Sequence, residues 1–433
     1  MTPALLGLAG FAAALLLIAF GMPVAVAMGV IGVAGYWWLN GWTGAAYILG
    51  GTPFESIFPY SFSVIPLFVM MGVFASRAGL SRSLFEMING FCGHMRGGLA
   101  VTAVGACAAF GAICGSSLAT VATIGRVALP EMKRHGYDES LSAASVAAGG
   151  TLGVLIPPSI LLVIYGLLTQ TSVGQLFIAA LIPGALATLL YALAVIVRVR
   201  MNPALAPRAE RMGWRQRLTV VRRVWSVLAL FLLVIGGIYV GWFSPTEAAA
   251  VGAVGAFVVA LVSGAVDKTM LRESVAETAA LTGMIFFILI GAGLFNYFLE
   301  STGVPNLLIR LAENSGLGST AVLILILIFY IILGCFMDSM SMILLTVPLL
   351  APVAIGLDFD MVWFGILVVT VAEIGLITPP IGMNLFVVQA TQPGLTQTTV
   401  VRGIFPFILA DFVRIVLLVA FPILVLWLPM KMF

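Results

Sequence analysis

Along most of this 433-residue chain one uncharged apolar run follows another, and that pattern dictates the solvent in which it folds. A bilayer-spanning helix needs roughly 20 apolar residues, and the chain has room for about ten of them. Only 9% of its residues are charged and 62% are hydrophobic, against about 25% charged in a soluble domain. No water-facing surface can be built from so few charges, so lipid is the main solvent. Inside lipid every backbone N–H and C=O needs an internal partner, and these runs are too long for tilted barrel strands. The expected class is therefore an all-α integral membrane protein. The first run, from Ala4, has no basic residue before it, and a second run follows at once after Gly21-Met22-Pro23. That is read as a retained helix, since a cleavable signal begins positively. The cysteines (Cys92, Cys107, Cys114, Cys335) and histidines (His94, His135) show no metal-ligand spacing and no disulfide framework. Both histidines lie outside the apolar runs, which argues against an intramembrane enzyme with a Ser–His pair.

The chain repeats itself. A shift of 222 positions aligns Pro23 with Pro245, Pro130 with Pro352 and Pro157-Pro158 with Pro379-Pro380. The same shift brings Gly153 onto Gly375, Ser117 onto Ser339 and Tyr137-Asp138 onto Phe359-Asp360. This is the mark of a duplication over nearly the whole length. The first repeat, 1–200, reads as helices near 4–20, 22–40 and 55–77, an amphipathic arm helix at 81–96, a hairpin at 97–131, a broken helix at 140–169 and a helix at 173–200. A basic linker at 201–222 follows. The second repeat, 223–433, reads as helices near 223–243, 245–266 and 278–300, a short helix near 305–315, a hairpin at 319–356, a broken helix at 360–390 and a helix at 398–428.

Whether each hairpin crosses twice or enters and returns, the chain leaves it on the side where it entered. Each half then makes an odd number of net crossings, which turns the second half upside down: an inverted repeat. Charge sets the orientation. Residues 198–223 hold eight arginines and one acid, Glu210, so this stretch is expected to face the cytoplasm. Counting outward, Arg77, Arg82, Arg96, Arg126, Lys133, Arg134, Lys268, Arg272 and Arg402 fall on the same side. Only Arg310, Arg414 and Lys431 do not, and both termini are placed on the periplasmic side.

Four stretches break helix rules at membrane depth: 114–120, 149–159, 334–341 and 372–384. Proline deletes an N–H and clashes with the carbonyl four residues earlier, and glycine lets the chain unwind. Non-helical backbone at that depth survives only where protein buries it or it lines a cavity. Free carbonyls with hydroxyls and a carboxylate suit sodium, while exposed half-helix N-termini suit an anion. Pairing each hairpin with its broken helix gives two pseudo-symmetric sodium sites with substrate between them. The candidates are Gly115, Ser116, Ser117, Gly150, Thr151 and Gly153 in the first repeat, and Gly334, Asp338, Ser339, Gly375 and Thr378 in the second. Asp338 stands out, because a carboxylate in an apolar hairpin costs about 2.5–3.5 kcal/mol to insert. Glu373 either joins this site or satisfies freed N–H groups. Asp411 and Arg414 read as a local ion pair, and Glu247 as a helix cap.

At these motifs the sequence resembles the large membrane subunit of the tripartite ATP-independent periplasmic (TRAP) transporters. The likeness is carried by Gly115-Ser-Ser-Leu-Ala-Thr-Val-Ala-Thr-Ile-Gly-Arg126, Pro130-Glu-Met-Lys, Gly136-Tyr-Asp, Ala148-Gly-Gly-Thr-Leu-Gly and Ile156-Pro-Pro-Ser-Ile160, with Met337-Asp-Ser and Ile377-Thr-Pro-Pro-Ile-Gly-Met-Asn384 in the second half. The resemblance implies an elevator-type, sodium-driven importer of small organic carboxylates in the bacterial inner membrane, without ATP or another cofactor. It also implies two partners: a periplasmic substrate-binding protein and a separate small four-helix membrane subunit. By position, Ser116, Thr120, Ser159, Asp338 and Asn384 would contact substrate. Cys114 stands where many relatives of that family carry serine. Two other readings compete: a divalent-anion/sodium symporter of similar architecture that needs no binding protein, and a channel.

Overall fold

The computed structural model describes residues 2–207, 211–314, 316–392 and 394–432, and among them it is helical throughout. Residues 208–210 of the expected linker, with Arg208 and Glu210, lie outside the described residues. The first half comprises α1 (Pro3–Ala19), α2 (Val24–Ile57), α3 (Val64–Arg77), α4 (Leu80–Cys92), α5 (Gly98–Cys114), α6 (Ser117–Arg134), α7 (Glu139–Leu155), α8 (Ile160–Thr169) and α9 (Val173–Met201). The second half comprises α10 (Trp214–Tyr239), α11 (Pro245–Val262), α12 (Lys268–Thr302), α13 (Val304–Asn314), α14 (Ser319–Gly334), α15 (Ser339–Gly356), α16 (Met361–Ile377), α17 (Met383–Thr391), α18 (Gln397–Ala420) and α19 (Ile423–Met432). Seven helices among the described residues are long and apolar enough to cross a membrane, and α7–α8 adds a further span bent by 41° at its break. The protein is a multi-pass membrane protein.

Element boundaries differ from the sequence reading where local chemistry overrides apolarity. The second helix does not stop at residue 40. Gly41 takes φ 75° and ψ 173°, which turns the chain, and a further helical stretch runs on to Ile57. Pro59 then delays α3 until Val64. Helix α12 starts ten residues before the apolar run, because the Asp267 side chain accepts from the Met270 N–H and caps a polar first turn. Likewise α10 begins at Trp214, so Arg215, Arg217 and Arg222 sit on a helix and not on a linker.

The 222-residue offset recurs in the elements themselves. Shifted by that amount, α6 and α7 coincide at both ends with α15 and α16. Asp138 caps α7 by accepting from the Ser140 and Leu141 N–H groups, and Asp360 caps α16 by accepting from Val362 and Trp363. Packing between the halves is reciprocal: α6 meets α17 while α15 meets α8, and α7 meets α18 while α16 meets α9. The long pair α2–α12 is matched by α11–α3. Each of these contacts thus recurs between the 222-residue counterparts of its two partners.

The core lies at α7 and α16. Every residue from Leu141 to Leu155 and from Val362 to Ile377 is buried. Close approach is what fixes the glycines here. A Cβ on Gly111 would run into the Gly153 Cα, and one on Gly334 would come within 2.9 Å of the Gly375 Cα. Helices α5 and α14 thereby pack their backbones directly onto the two broken helices.

Candidate functional site

Each hairpin turns in a few residues, and its second arm opens as a helix N-terminus. Helix α5 ends at Gly115, whose φ of 63° reverses the chain, and Ser116 caps α6 by accepting from the Ala119 N–H at 3.4 Å. In the second half Asp338 does the same for α15: one carboxylate oxygen accepts from the Ser341 N–H at 3.0 Å and the other from the Ser341 hydroxyl at 2.5 Å. Ser159 caps α8 after the double proline, accepting from the Leu162 N–H at 3.3 Å. Both double prolines contain a cis peptide bond. Three half-helix N-termini, on α6, α8 and α15, thus gather at the breaks and place N–H dipoles near one locus.

Both tips reach one cavity of about 140 Å³. Gly115, Ser116 and Ser117 line it from the first hairpin, Asp338 and Ser339 from the second. The rest of the wall is apolar: Ile160 and Leu161 come from α8, Leu376 from α16, Val69 from α3, and Leu281, Met284 and Ile285 from α12. The sequence reading named none of the α3 and α12 residues. Nothing in an apolar helix marks which of its faces a hairpin will meet, so no sequence signal pointed to them.

The other predicted residues stand around this cavity without lining it. Asn384, fully buried, reaches across from α17 and donates to the Ser117 hydroxyl at 2.8 Å and to the Ala147 carbonyl at 3.0 Å. Thr120 is buried and donates back to the Ser116 carbonyl at 2.7 Å. Ser339, which does line the cavity, donates to the Ala372 carbonyl at 3.5 Å. A Cβ on Gly153 would meet the Ser116 carbonyl and the Thr120 hydroxyl, and one on Gly150 the Ser117 carbonyl at 3.3 Å. On Gly150 that Cβ would first strike the Val121 side chain, so the two glycines let α6 pack closely on α7 and bring the Ser116 and Ser117 carbonyls, oxygen donors of the kind a hard cation selects, against the broken helix. Gly334 and Gly375 serve first as the α14–α16 contact, with the Ala372 carbonyl 3.3 Å from a Cβ placed on Gly334. The Thr378 hydroxyl is turned back onto the Ile374 carbonyl at 2.7 Å.

Thr151 points elsewhere. Its hydroxyl lies 3.2 Å from the Tyr191 hydroxyl, which donates to Asp411 at 2.7 Å. Asp411 pairs with Arg414 at 2.9 Å, and both are buried. Glu373, the 222-residue counterpart of Thr151, is fully buried, with neither carboxylate oxygen hydrogen-bonded among the described residues, and lies within electrostatic reach of Arg414 and Asp411. It belongs to this polar network and does not line the hairpin cavity. Glu247 caps α11 in a reciprocal capping box with Ser244. Cys114 is buried at the end of α5, off the cavity wall.

This geometry defines a helical membrane transporter with paired hairpins. Residues 11–424 match the family model described as the tripartite ATP-independent periplasmic transporter, DctM component. The chain is 38% identical over 379 residues to the C4-dicarboxylate TRAP transporter large permease protein DctM of Pseudomonas aeruginosa, covering 87% of this chain and 88% of that one. It is 31% identical over 415 residues to the ectoine TRAP transporter large permease protein TeaC of Halomonas elongata, covering 95% and 96%. The YdaH transporter of Alcanivorax borkumensis shares the fold, with a TM-score of 0.64 over 98% of each chain at 16% identity. The chain belongs to the DctM family of large permease subunits of tripartite ATP-independent periplasmic transporters, and it is a transport protein, not an enzyme.

Proposed function

We propose that this permease imports small organic carboxylates on a sodium gradient, by an elevator movement of an inverted repeat. The observation that carries the reading is the convergence of two hairpin tips, one neutral and one carrying Asp338, on a single small cavity. Sodium is cargo here, as is the organic acid. The Ser116 and Ser117 carbonyls beside Gly150 and Gly153 would hold one cation, and Asp338 with Ser339 and the Ala372 carbonyl another. Half-helix N-termini at α6, α8 and α15 would orient a carboxylate between them. The names of the two relatives support a small organic substrate.

The elevator reading rests on where the cavity lies. Hairpins and broken helices form one wall, while α3 and α12 form the other, so sliding the first group along the second would carry the cavity with it. The helix pair α2–α12 suits a fixed frame: Gly32 and Gly291 each meet the opposing backbone directly. The family also implies partners, a periplasmic substrate-binding protein and a separate small membrane subunit. With the arginines of 198–223 cytoplasmic, both termini face the periplasm of an inner-membrane protein.

The test is thermal unfolding of the purified protein in sodium chloride against choline chloride. A ligand that binds only the folded state raises the midpoint by mass action. Sodium-specific stabilisation is expected in the wild type and reduced by the share of one site in Asp338→Asn, a change that keeps a competent cap. Equal midpoints in the two salts would overturn sodium coupling. Uptake into proteoliposomes that runs without a binding protein would instead favour an independent symporter.

A further inference from the structure

A second cavity, of about 830 Å³, is a groove between α9 and α18, far larger than the one at the hairpin tips. Its floor and walls are aliphatic and aromatic, with Leu193, Val197, Phe405 and Leu409 all strongly exposed along it. Its polar side chains, Arg198, Asn202 and Arg402, all sit at one end. The two helices reach that end by opposite termini: Arg198 and Asn202 come from the close of α9, Arg402 from the opening of α18.

The groove has the depth of one leaflet. On α9 its lining runs from Leu190 to Met201, and on α18 from Arg402 to Val413. Eleven helical steps of about 1.5 Å give roughly 17 Å on either wall, against about 15 Å for half of a 30 Å hydrocarbon core. Arg198 is held in place at the mouth, donating to the Gly403 carbonyl at 2.6 Å and to the Ser140 hydroxyl at 3.0 Å. Among the described residues no carboxylate lies within ion-pair distance of Arg198 or Arg402. The acid that acts on Arg198 from further off, Asp138, is engaged in capping α7. Two guanidiniums with no direct ion pair among the described residues, above a leaflet-deep apolar slot, call for an anion that carries a hydrocarbon chain.

We infer that the α9–α18 groove is a binding site for one anionic glycerophospholipid, its phosphate on Arg198 and Arg402 and an acyl chain along the leucines below. The leaflet is the one on the side of the chain between α9 and α10, which is the cytoplasmic leaflet in the orientation proposed above. Basic pockets between transmembrane helices on that face are where anionic headgroups are taken up. The inference needs only that the chain spans a membrane, so it stands or falls separately from sodium coupling.

The experiment uses the full chain, delipidated in detergent and titrated with phosphatidylglycerol, phosphatidylcholine or inorganic phosphate while thermal unfolding is followed. Phosphatidylglycerol is expected to raise the midpoint by about 2–4 °C, with little effect from the other two. Two variants attack the site from opposite ends: Arg402→Gln removes a headgroup contact, and Leu409→Trp fills the slot from an exposed position that no fold contact requires. Each is expected to abolish most of the phosphatidylglycerol shift while unfolding as the wild type does without lipid. Equal shifts from both lipids would overturn the site, as would a shift from phosphate as large as that from phosphatidylglycerol. So would a shift undiminished in both variants. A crosslink from Leu409→Cys to a membrane partner in the assembled transporter would assign the groove to that protein and overturn the lipid.

Discussion

The two hairpins share one backbone plan and differ by a charge. At the first tip Ser116 caps α6 with a hydroxyl; at the second, 222 positions later, Asp338 caps α15 with a carboxylate. The first tip is also tied to the other half of the molecule, Ser117 to Asn384 on α17, whereas Ser339 reaches only a carbonyl of its own half. The 222-residue counterpart of Asn384 is Leu162, which can make no such bond. The turn and the cap are thus alike at the two tips, while the chemistry at each tip differs. One tip is neutral and braced; the other is charged and less constrained.

That comparison can be broken at several points. The largest effect is expected where the halves are alike. Gly153→Val and Gly375→Val each drive a side chain into opposing atoms and should cost about 3 kcal/mol or more, seen as loss of monodisperse protein from both variants. If only one variant suffers, the close packing is not a shared feature. Next, Asn384→Ala unbraces the first tip alone and should cost about 2 kcal/mol for the stranded buried groups. A double-mutant cycle with Ser117→Ala reads the coupling directly, and additivity within about 0.5 kcal/mol would show that the bond contributes nothing.

The charge difference predicts a smaller and more selective effect. At sodium tenfold above its dissociation constant the folded state gains about 1.4 kcal/mol from one site. Asp338→Asn should lose that gain, while Ser116→Ala should keep most of it. The reverse pattern would move the principal cation site to the first tip. Smallest of all, Asp138→Ala and Asp360→Ala each remove a cap at equivalent positions and should cost about 1 kcal/mol apiece. Unequal costs in thermal unfolding would mean that the extra bond from the Ser140 hydroxyl to Asp138 adds to a cap whose backbone bonds match.

Local chemistry accounts for what was legible beforehand. Proline and glycine act on the residues around them, so the breaks near 115, 157, 338 and 379 were readable, and so was the 222-position offset between them. Asp338 was conspicuous because a charge in an apolar hairpin has few reasons to exist. Segment ends were less legible: the helical stretch after Gly41 and the early start of α12 depend on one backbone angle and one capping bond that apolarity does not report.

What the sequence by itself determined is the solvent, the helical class, the 222-position offset and the places where helices break. Each follows from composition or from steric rules that reach only a few residues. Tertiary structure alone decided which groups meet. It set Asn384 against Ser117 across 267 positions, turned Thr151 toward Tyr191 and Asp411, and put α3 and α12 opposite the hairpin tips. A helix fixes the direction of each side chain about its own axis, but the neighbour that receives it is chosen by how whole helices pack.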